Sequence, residues 1–423
     1  MISAMAISIP DTGCPHWGVC GGCAVRPTAE GKAAPPPYEI QLREKEALVR
    51  GLLAPFDIAE WRPIVPSPTI WYYRNKMEFA FAPERIPPPP PRKKPGEPRV
   101  PASELPPVEG VLLGLRQAGH FDRIVDLQRC LLISPEGETL LARVRDWAKR
   151  HGITGHDRRI HRGDLRYLVV REGKQTGERM IFLIGHTTLL PKWETARADF
   201  EASVKDLATT ALIGFTDVRS DVARAPEMQV LWGPGTIQER LGPVTYRLSP
   251  FSFFQTNTLA TERLYGLLAD WARTQTGALI DLYCGSGGIT LSLAKVFDRV
   301  VGIDTNREAI TDATFNAAQN GIQNAEFVCE DALEFLKKLP ASKLSIQISS
   351  MIVDPPRPGL MPKALQSLLD LNPARLAYVS CNPESLARDL TVLAPLYRIQ
   401  SAQPVDLFPH TAHVETVVFL EHR

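Results

Sequence analysis

Cys381 lies in the run Tyr378-Val-Ser-Cys-Asn-Pro-Glu384, at the end of an apolar strand pattern, where a free thiol is a candidate nucleophile. The plain alternative is a small buried thiol, the common use of a free cysteine. Its company favours chemistry. Val353-Asp-Pro-Pro-Arg-Pro-Gly359 precedes it, with prolines fixing the turn after Asp354. Phe408-Pro-His-Thr-Ala-His-Val-Glu415 follows and offers two histidines and a glutamate. A thiolate that adds to carbon needs a base to take a proton before it can leave again, and Glu415 is the choice for that base. His410 and His413 read as structural hydrogen-bonders.

A second motif supplies a place for a cofactor. Asp281-Leu-Tyr-Cys-Gly-Ser-Gly-Gly288 joins an apolar strand to a helix starting near Ile289, and glycines there let a ligand approach the backbone at a helix N-terminus. The next strand ends in Val301-Gly-Ile-Asp304, where a carboxylate can accept both ribose hydroxyls of an adenosine. Dinucleotide enzymes share that acid, but the glycine spacing here is not theirs. Glu330-Asp331 follows a third strand, where a carboxylate or its backbone can meet an adenine amino group. This ordering resembles S-adenosylmethionine-dependent methyltransferases.

Amino-group methyltransferases usually end the turn after the fourth strand in an aromatic residue, and here Arg357 takes that place. A pyrimidine C5 is too poor a nucleophile to take a methyl group unaided; transient addition of a thiolate to C6 activates it. These motifs in this order resemble the RNA uracil-5 methyltransferase family, which makes 5-methyluridine in tRNA and 23S rRNA. The resemblance implies that Cys381 is the nucleophile and Glu415 the proton acceptor. It also implies that Gln255 in Phe253-Phe-Gln-Thr-Asn257, Tyr283, Gly285, Asp304, Asp331 and Asp354 bind the cofactor. The family often has Glu where this chain has Asp304, and Gly288 stands where some members have Asn. Cys284 and Cys329 read as passive core thiols.

Cys14, Cys20 and Cys23 lie on one short glycine-rich loop, a metal-ligand pattern that needs a fourth ligand. Cys130 is the remaining cysteine outside the C-terminal sheet region. All-thiolate ligation admits zinc or an iron–sulfur cluster, and spacing alone does not choose. Resemblance to the cluster-bearing branch of the same family implies a 4Fe–4S cluster, structural or RNA-positioning in role. Many members of the family carry an N-terminal RNA-binding β-barrel, and with thirteen residues before Cys14 this chain is expected to lack it. The expected substrate is 23S rRNA, with a tRNA uridine as the alternative and a non-catalytic RNA-binding assembly factor as the reading from another class.

The elements that must hold these residues follow from pattern. At 423 residues the chain can fill two or three domains, and a hydrophobic fraction of 44% with 22% charged is globular. No apolar run reaches the length of a spanning helix, and the N-terminus lacks a signal peptide's basic start and apolar core, so a cytoplasmic location is expected; a monomer without an obligate protein partner is the expected state. Residues 1–37 form the cysteine-rich segment and residues 38–247 an α+β RNA-binding domain with a proline-rich insertion at 82–107. Residues 248–423 form a doubly wound, Rossmann-like α/β domain. Apolar strands are expected at 278–282, 299–303, 325–328, 351–353 and 376–380, with edge strands at 405–407 and 414–420. Tyr72-Tyr73-Arg74-Asn75-Lys76 mixes aromatic faces with cations, a pattern suited to unpaired RNA bases and phosphates. The net charge of +1 conceals local basic runs such as Arg158-Arg159 and Arg162.

Overall fold

The computed structural model describes residues 13–23, 35–85, 108–341 and 348–423. Most of the expected insertion at 82–107 lies outside the described residues. The chain forms two compact units: Met1–Pro35 with Trp71–Gly173 and Gly177–Ile237, and Pro36–Ile70 with Lys174–Thr176 and Gln238–Arg423. Residues 36–70 therefore pack with the C-terminal unit, whereas chain order suggested the central one.

The C-terminal unit is built on an eight-stranded sheet. Its order is Ile58–Trp61, Tyr397–Val405, Glu415–His422, Arg375–Ser380, Ile348–Val353, Ala278–Leu282, Arg299–Asp304 and Ala325–Cys329. From Arg375–Ser380 to Ala325–Cys329 all neighbours run parallel, which explains why these strands read as nearly continuous apolar runs. Glu415–His422 runs antiparallel to both of its neighbours and is interior, not the edge strand expected. The strand expected at 405–407 is instead Tyr397–Val405, and Ile58–Trp61 covers it as the edge in parallel register, Ile58 opposite Ile399. Polar Arg398, Gln400 and Gln403 interrupt the apolar pattern of that strand. Helices Tyr38–Leu53, Pro362–Leu371 and Pro383–Leu393 bring Val49, Leu53, Leu365, Leu386 and Leu390 into the core beneath this sheet.

The other unit carries a seven-stranded sheet. Ile124–Asp126, Leu112–Arg116, Lys76–Ala82, Leu165–Glu172 and Arg179–Gly185 are successive antiparallel neighbours; Thr210–Phe215 joins in parallel and Glu227–Trp232 closes the sheet. On Lys76–Ala82 the residues Met77, Phe79 and Phe81 are buried, as their alternation requires. Helix Pro135–Arg150 is capped by Ser134, whose side chain accepts from Gly137 N at 3.1 Å. Its Trp147 packs edge-on against Phe200 at 4.9 Å between ring centres. Among the described residues no helix is long and apolar enough to cross a membrane.

Candidate active site

Ligands of open α/β sheets bind beyond the carboxyl ends of the parallel strands. Here the loop 283–288 leaves Ala278–Leu282, Asp304 ends Arg299–Asp304, Asp331 follows Ala325–Cys329, Asp354 follows Ile348–Val353, and Cys381 follows Arg375–Ser380. Glu415 reaches that edge from the opposite direction, as the first residue of an antiparallel strand. Ser380 pairs with Thr416, so one step further along the ladder Cys381 stands beside Glu415.

The glycine loop holds an unusual backbone. Tyr283 has φ 67°, a left-handed conformation costly for a non-glycine residue, and Gly285 (φ 54°) and Gly287 (φ 83°) follow it. The carboxylate of Asp304 ties this loop down, accepting from Gly285 N at 3.0 Å and from Asn306 N at 2.8 Å. Asp331 caps its own helix, Ala332–Lys338, accepting from Leu333 N at 2.9 Å. Its charge and that of Asp304 still reach the Tyr283 phenol, which burial first and these acids next push up to about 12.

Gln255, Tyr283 and Asp354 line one cavity together with Tyr265, Ser286 and Gly288. Gln255 Nε2 lies 3.5 Å from Asp354 Oδ2. The turn bearing Gln255 is fixed by Asn257, which caps helix Thr258–Ala272 through Ala260 N at 3.1 Å and donates to Leu407 O at 3.0 Å. Ser286 Oγ donates to Phe253 O at 2.8 Å and anchors the glycine loop to the same turn.

Tyr265 and Ser286 were not singled out from the sequence. Tyr265 lies on the buried face of helix Thr258–Ala272 with Thr258, Thr261, Leu264 and Leu268, and no local signal marks it out. Its position also accounts for Gly288: a Cβ there would stand 2.3 Å from the Tyr265 hydroxyl oxygen. Gly288→Ala should therefore cost about 1–3 kcal/mol of stability through overpacking and weaken cofactor binding, and adding Tyr265→Phe should recover most of both. Urea titration and calorimetry with S-adenosylhomocysteine check this; an additive double variant would contradict the close approach of the two residues.

Electrostatics at the reacting edge follow from burial. Glu415 is 3% exposed, and burial, then Asp354, push its carboxyl up to about 8, with Arg357 opposing. Burial and then Asp281 push Asp354 up to about 7. Burial, Glu415 and Asp354 push the Cys381 thiol up to about 11, again with Arg357 opposing. Arg357 Nη2 approaches the His413 ring, 2.7 Å from Nδ1, and its carbonyl accepts from Asn382 Nδ2 at 3.1 Å. At neutral pH the resting site thus holds a thiol next to acids that titrate close to neutrality, the range suited to a general base.

Helix Tyr38–Leu53 positions the segment that delivers Glu415. Lys45 Nζ donates to Asp406 Oδ1 at 2.7 Å and to Phe408 O at 3.0 Å, Tyr38 donates to Asp406 Oδ2 at 2.8 Å, and Gln41 meets His410 Nδ1 at 3.1 Å. His410 is accordingly buried and structural. The Lys45–Asp406 pair is almost wholly out of solvent, so Lys45→Ala leaves an uncompensated buried carboxylate and should cost about 3–5 kcal/mol. A loss below about 1 kcal/mol in denaturant titration would contradict it.

Two expectations are corrected. Cys284 is buried but Cys329 is exposed, because it ends Ala325–Cys329, the strand at the open edge of the sheet. Tyr73 and Asn75 are buried in their own unit, so the stretch 72–76 offers outward only the partly exposed Tyr72, Arg74 and Lys76.

The N-terminal cysteines and Cys130 lie in the other unit. Cys14, Cys20, Cys23 and Cys130 are free thiols. Burial, then the charges of Cys20 and Cys14, push Cys130 up to about 12; Cys23 is raised by burial and by the other three thiols. Among the described residues, no three His, Cys, Asp or Glu side chains form a group that could hold a metal ion.

A model of the tRNA (uracil-5-)-methyltransferase family matches residues 174–423. The chain belongs to that family. It is an S-adenosylmethionine-dependent RNA (uracil-5-)-methyltransferase with the α/β methyltransferase fold. It is 33% identical over 418 residues to an uncharacterized RNA methyltransferase of Caldanaerobacter subterraneus, covering 96% of this chain and 84% of that one. A relative from Chlorobaculum tepidum, also named an uncharacterized RNA methyltransferase, is 34% identical over 413 residues, covering 96% and 82%. The crystal structure of Pyrococcus abyssi tRNA (uracil-54, C5)-methyltransferase with S-adenosyl-L-homocysteine superposes with a TM-score of 0.71 at 29% identity, over 90% of this chain and 83% of that one.

Proposed function

We propose that this enzyme methylates C5 of a uridine in RNA to 5-methyluridine through a covalent adduct of Cys381 with the base. The observation that carries the reading is the pairing of Ser380 with Thr416, which sets Cys381 beside Glu415 at the sheet edge where the glycine loop lies. Cys381 Sγ gives up its proton to solvent and forms a bond to C6, and the C5–C6 π electrons move into an enolate. Bound S-adenosylmethionine supplies an electrophilic methyl group, which C5 takes as the carbon–sulfonium bond breaks. Glu415 then accepts the C5 proton; the electrons of that bond restore C5–C6 and expel the thiolate. Asp304, Gln255, Tyr283, Gly285, Asp331 and Asp354 hold and orient the cofactor. The raised carboxyls of Glu415 and Asp354 suit this sequence, since an acid titrating near neutrality can take a proton and return it to solvent.

The cluster-bearing pattern favours 23S rRNA, and likeness to the Pyrococcus abyssi enzyme favours tRNA. Incubation of the protein with labelled S-adenosylmethionine and both unmodified transcripts distinguishes them by which RNA gains label; label in neither contradicts the reading.

Cys14, Cys20, Cys23 and Cys130 are proposed to hold a 4Fe–4S cluster. Four free thiols within one unit, three of them on one short loop, suit soft, thiolate-binding metal chemistry. When bound, the cluster would tie the 13–23 loop to Cys130. Anaerobically purified protein should contain about four irons and four sulfides per chain by this reading, and Cys23→Ser should lose most of both with a lower melting temperature. Stoichiometric zinc, or no metal, would contradict the cluster.

A further inference from the structure

A second cavity lies wholly within the unit that contains the N-terminal cysteines, and none of its lining residues belongs to the reacting edge. Its walls are the turn 156–161 and the segment 219–221, and its floor includes Ala80, Phe81 and Tyr167. Three arginines line it, Arg158, Arg166 and Arg219, against one carboxylate, Asp221.

The partners of these charges decide what is available. Asp221 is taken by Arg158. Arg166 holds the wall itself, donating from Nη1 to Thr216 O at 3.1 Å and to Val218 O at 2.7 Å, and from Nη2 to Ser220 O at 2.6 Å. Asp157 is turned inward, accepting from Arg159 N at 2.8 Å and from Ile160 N at 3.0 Å. Arg219 is exposed and has no hydrogen-bond or ion-pair partner among the described residues. His161 faces the cavity from a left-handed backbone, φ 54°. His156 is 6% exposed, stacks on His186 at 5.9 Å between ring centres, and its Nδ1 has no hydrogen-bond partner. The guanidinium of Arg219, free among the described residues, leaves the cavity wall with excess positive charge.

The ligand is an anion by charge, and the guanidinium forks suit phosphate. Beside it Arg158 Nη1 donates to Phe121 O at 3.2 Å, and the Phe121 side chain is 69% exposed, a large apolar face left to solvent next to the cations. Cations beside an exposed ring form the combination that follows a single strand, phosphate to charge and base to ring.

We propose that this cavity binds a backbone phosphate of single-stranded RNA, with Arg219 and His161 as its ligands and Phe121 as the stacking face for an adjoining base. The site rests on the reading that the substrate is RNA, and it would set how a loop is presented to the enzyme without touching the reacting uridine.

The test is equilibrium binding of unmodified tRNA and 23S rRNA transcripts to the full chain over a range of salt concentrations, with Arg219→Glu, Phe121→Ala and His161→Gly. Glycine accepts the left-handed backbone at 161, so that variant should keep the turn. Circular dichroism and urea titration, expected to be unchanged, report that each variant is folded. Arg219→Glu should weaken RNA binding roughly tenfold and reduce the slope of log K against log salt by about 0.7–0.9 per phosphate no longer neutralised. Phe121→Ala should weaken binding with the slope unchanged.

Wild-type affinity and slope in Arg219→Glu and His161→Gly would overturn the proposal. So would histidine NMR shifts at His161 caused by inorganic phosphate but not by RNA, which would make the cavity a small-anion site. RNA binding that depends on Arg219 in a protein that forms no 5-methyluridine would leave this site standing and sink the proposed reaction instead.

Discussion

Cys381→Ala is expected to abolish methyl transfer to RNA, with turnover falling by a factor on the order of 10⁴ or more, while cofactor affinity changes little. The size of the loss follows from what the thiol supplies. On the proposed mechanism, addition to C6 makes the enolate that gives C5 the nucleophilic character it needs, and without the thiol that step is lost. The small effect on the cofactor follows from geometry: Gln255, Tyr283 and Asp354 line the cavity beside the glycine loop, and Cys381 does not. Calorimetry with S-adenosylhomocysteine and single-turnover assays separate the two. Methylation surviving within tenfold would mean that the reaction proceeds without a covalent adduct.

Glu415→Gln is expected to slow turnover by about 10²–10⁴ and to accumulate a methylated covalent adduct between the protein and RNA. The amide keeps the shape of the side chain but cannot accept the C5 proton, so elimination stalls after the methyl group has moved. The same change removes a negative neighbour from Cys381, whose thiol burial and Glu415 together hold near 11. Its thiol should therefore ionise at lower pH and alkylate faster than in the wild type. In the wild type the carboxyl is held at about 8, so the form able to accept a proton grows as pH rises, and the elimination step should accelerate from pH 6 to pH 8 before levelling. Denaturing gels and intact-mass spectrometry read the adduct. A variant that neither forms it nor loses turnover would place the base elsewhere, with Asp354 the next candidate.

Much of the reacting edge was legible in the sequence because parallel strands buried on both faces must be apolar throughout. The turns that leave their ends are the places where Asp304, Asp354 and Cys381 can be exposed to a ligand. Glu415 was legible as a residue type in the right segment, but its apposition to Cys381 depends on Glu415–His422 entering the sheet antiparallel between two other strands, which no local pattern dictates. The same holds for Ile58–Trp61, whose partner lies more than 300 residues further along the chain. The clamp of Lys45 on Asp406 was hidden for a related reason: a lysine on an amphipathic helix reads as solvent-facing until its partner is known. Cys329 misled because a thiol after an apolar strand reads as core, and only the sheet order reveals that its strand is the last one. Tyr73 misled in the opposite sense, since an aromatic beside cations is a stacking face only if the strand turns it outward.

The most direct measurement is the identity and position of the methylated nucleoside, by nuclease digestion and mass spectrometry, after incubation of the protein with S-adenosylmethionine and unmodified tRNA and 23S rRNA. The proposed reaction predicts 5-methyluridine in one of the two RNAs, and none with Cys381→Ala. A methylated cytosine or amino nitrogen, or 5-methyluridine formed equally well without the thiol, would contradict it.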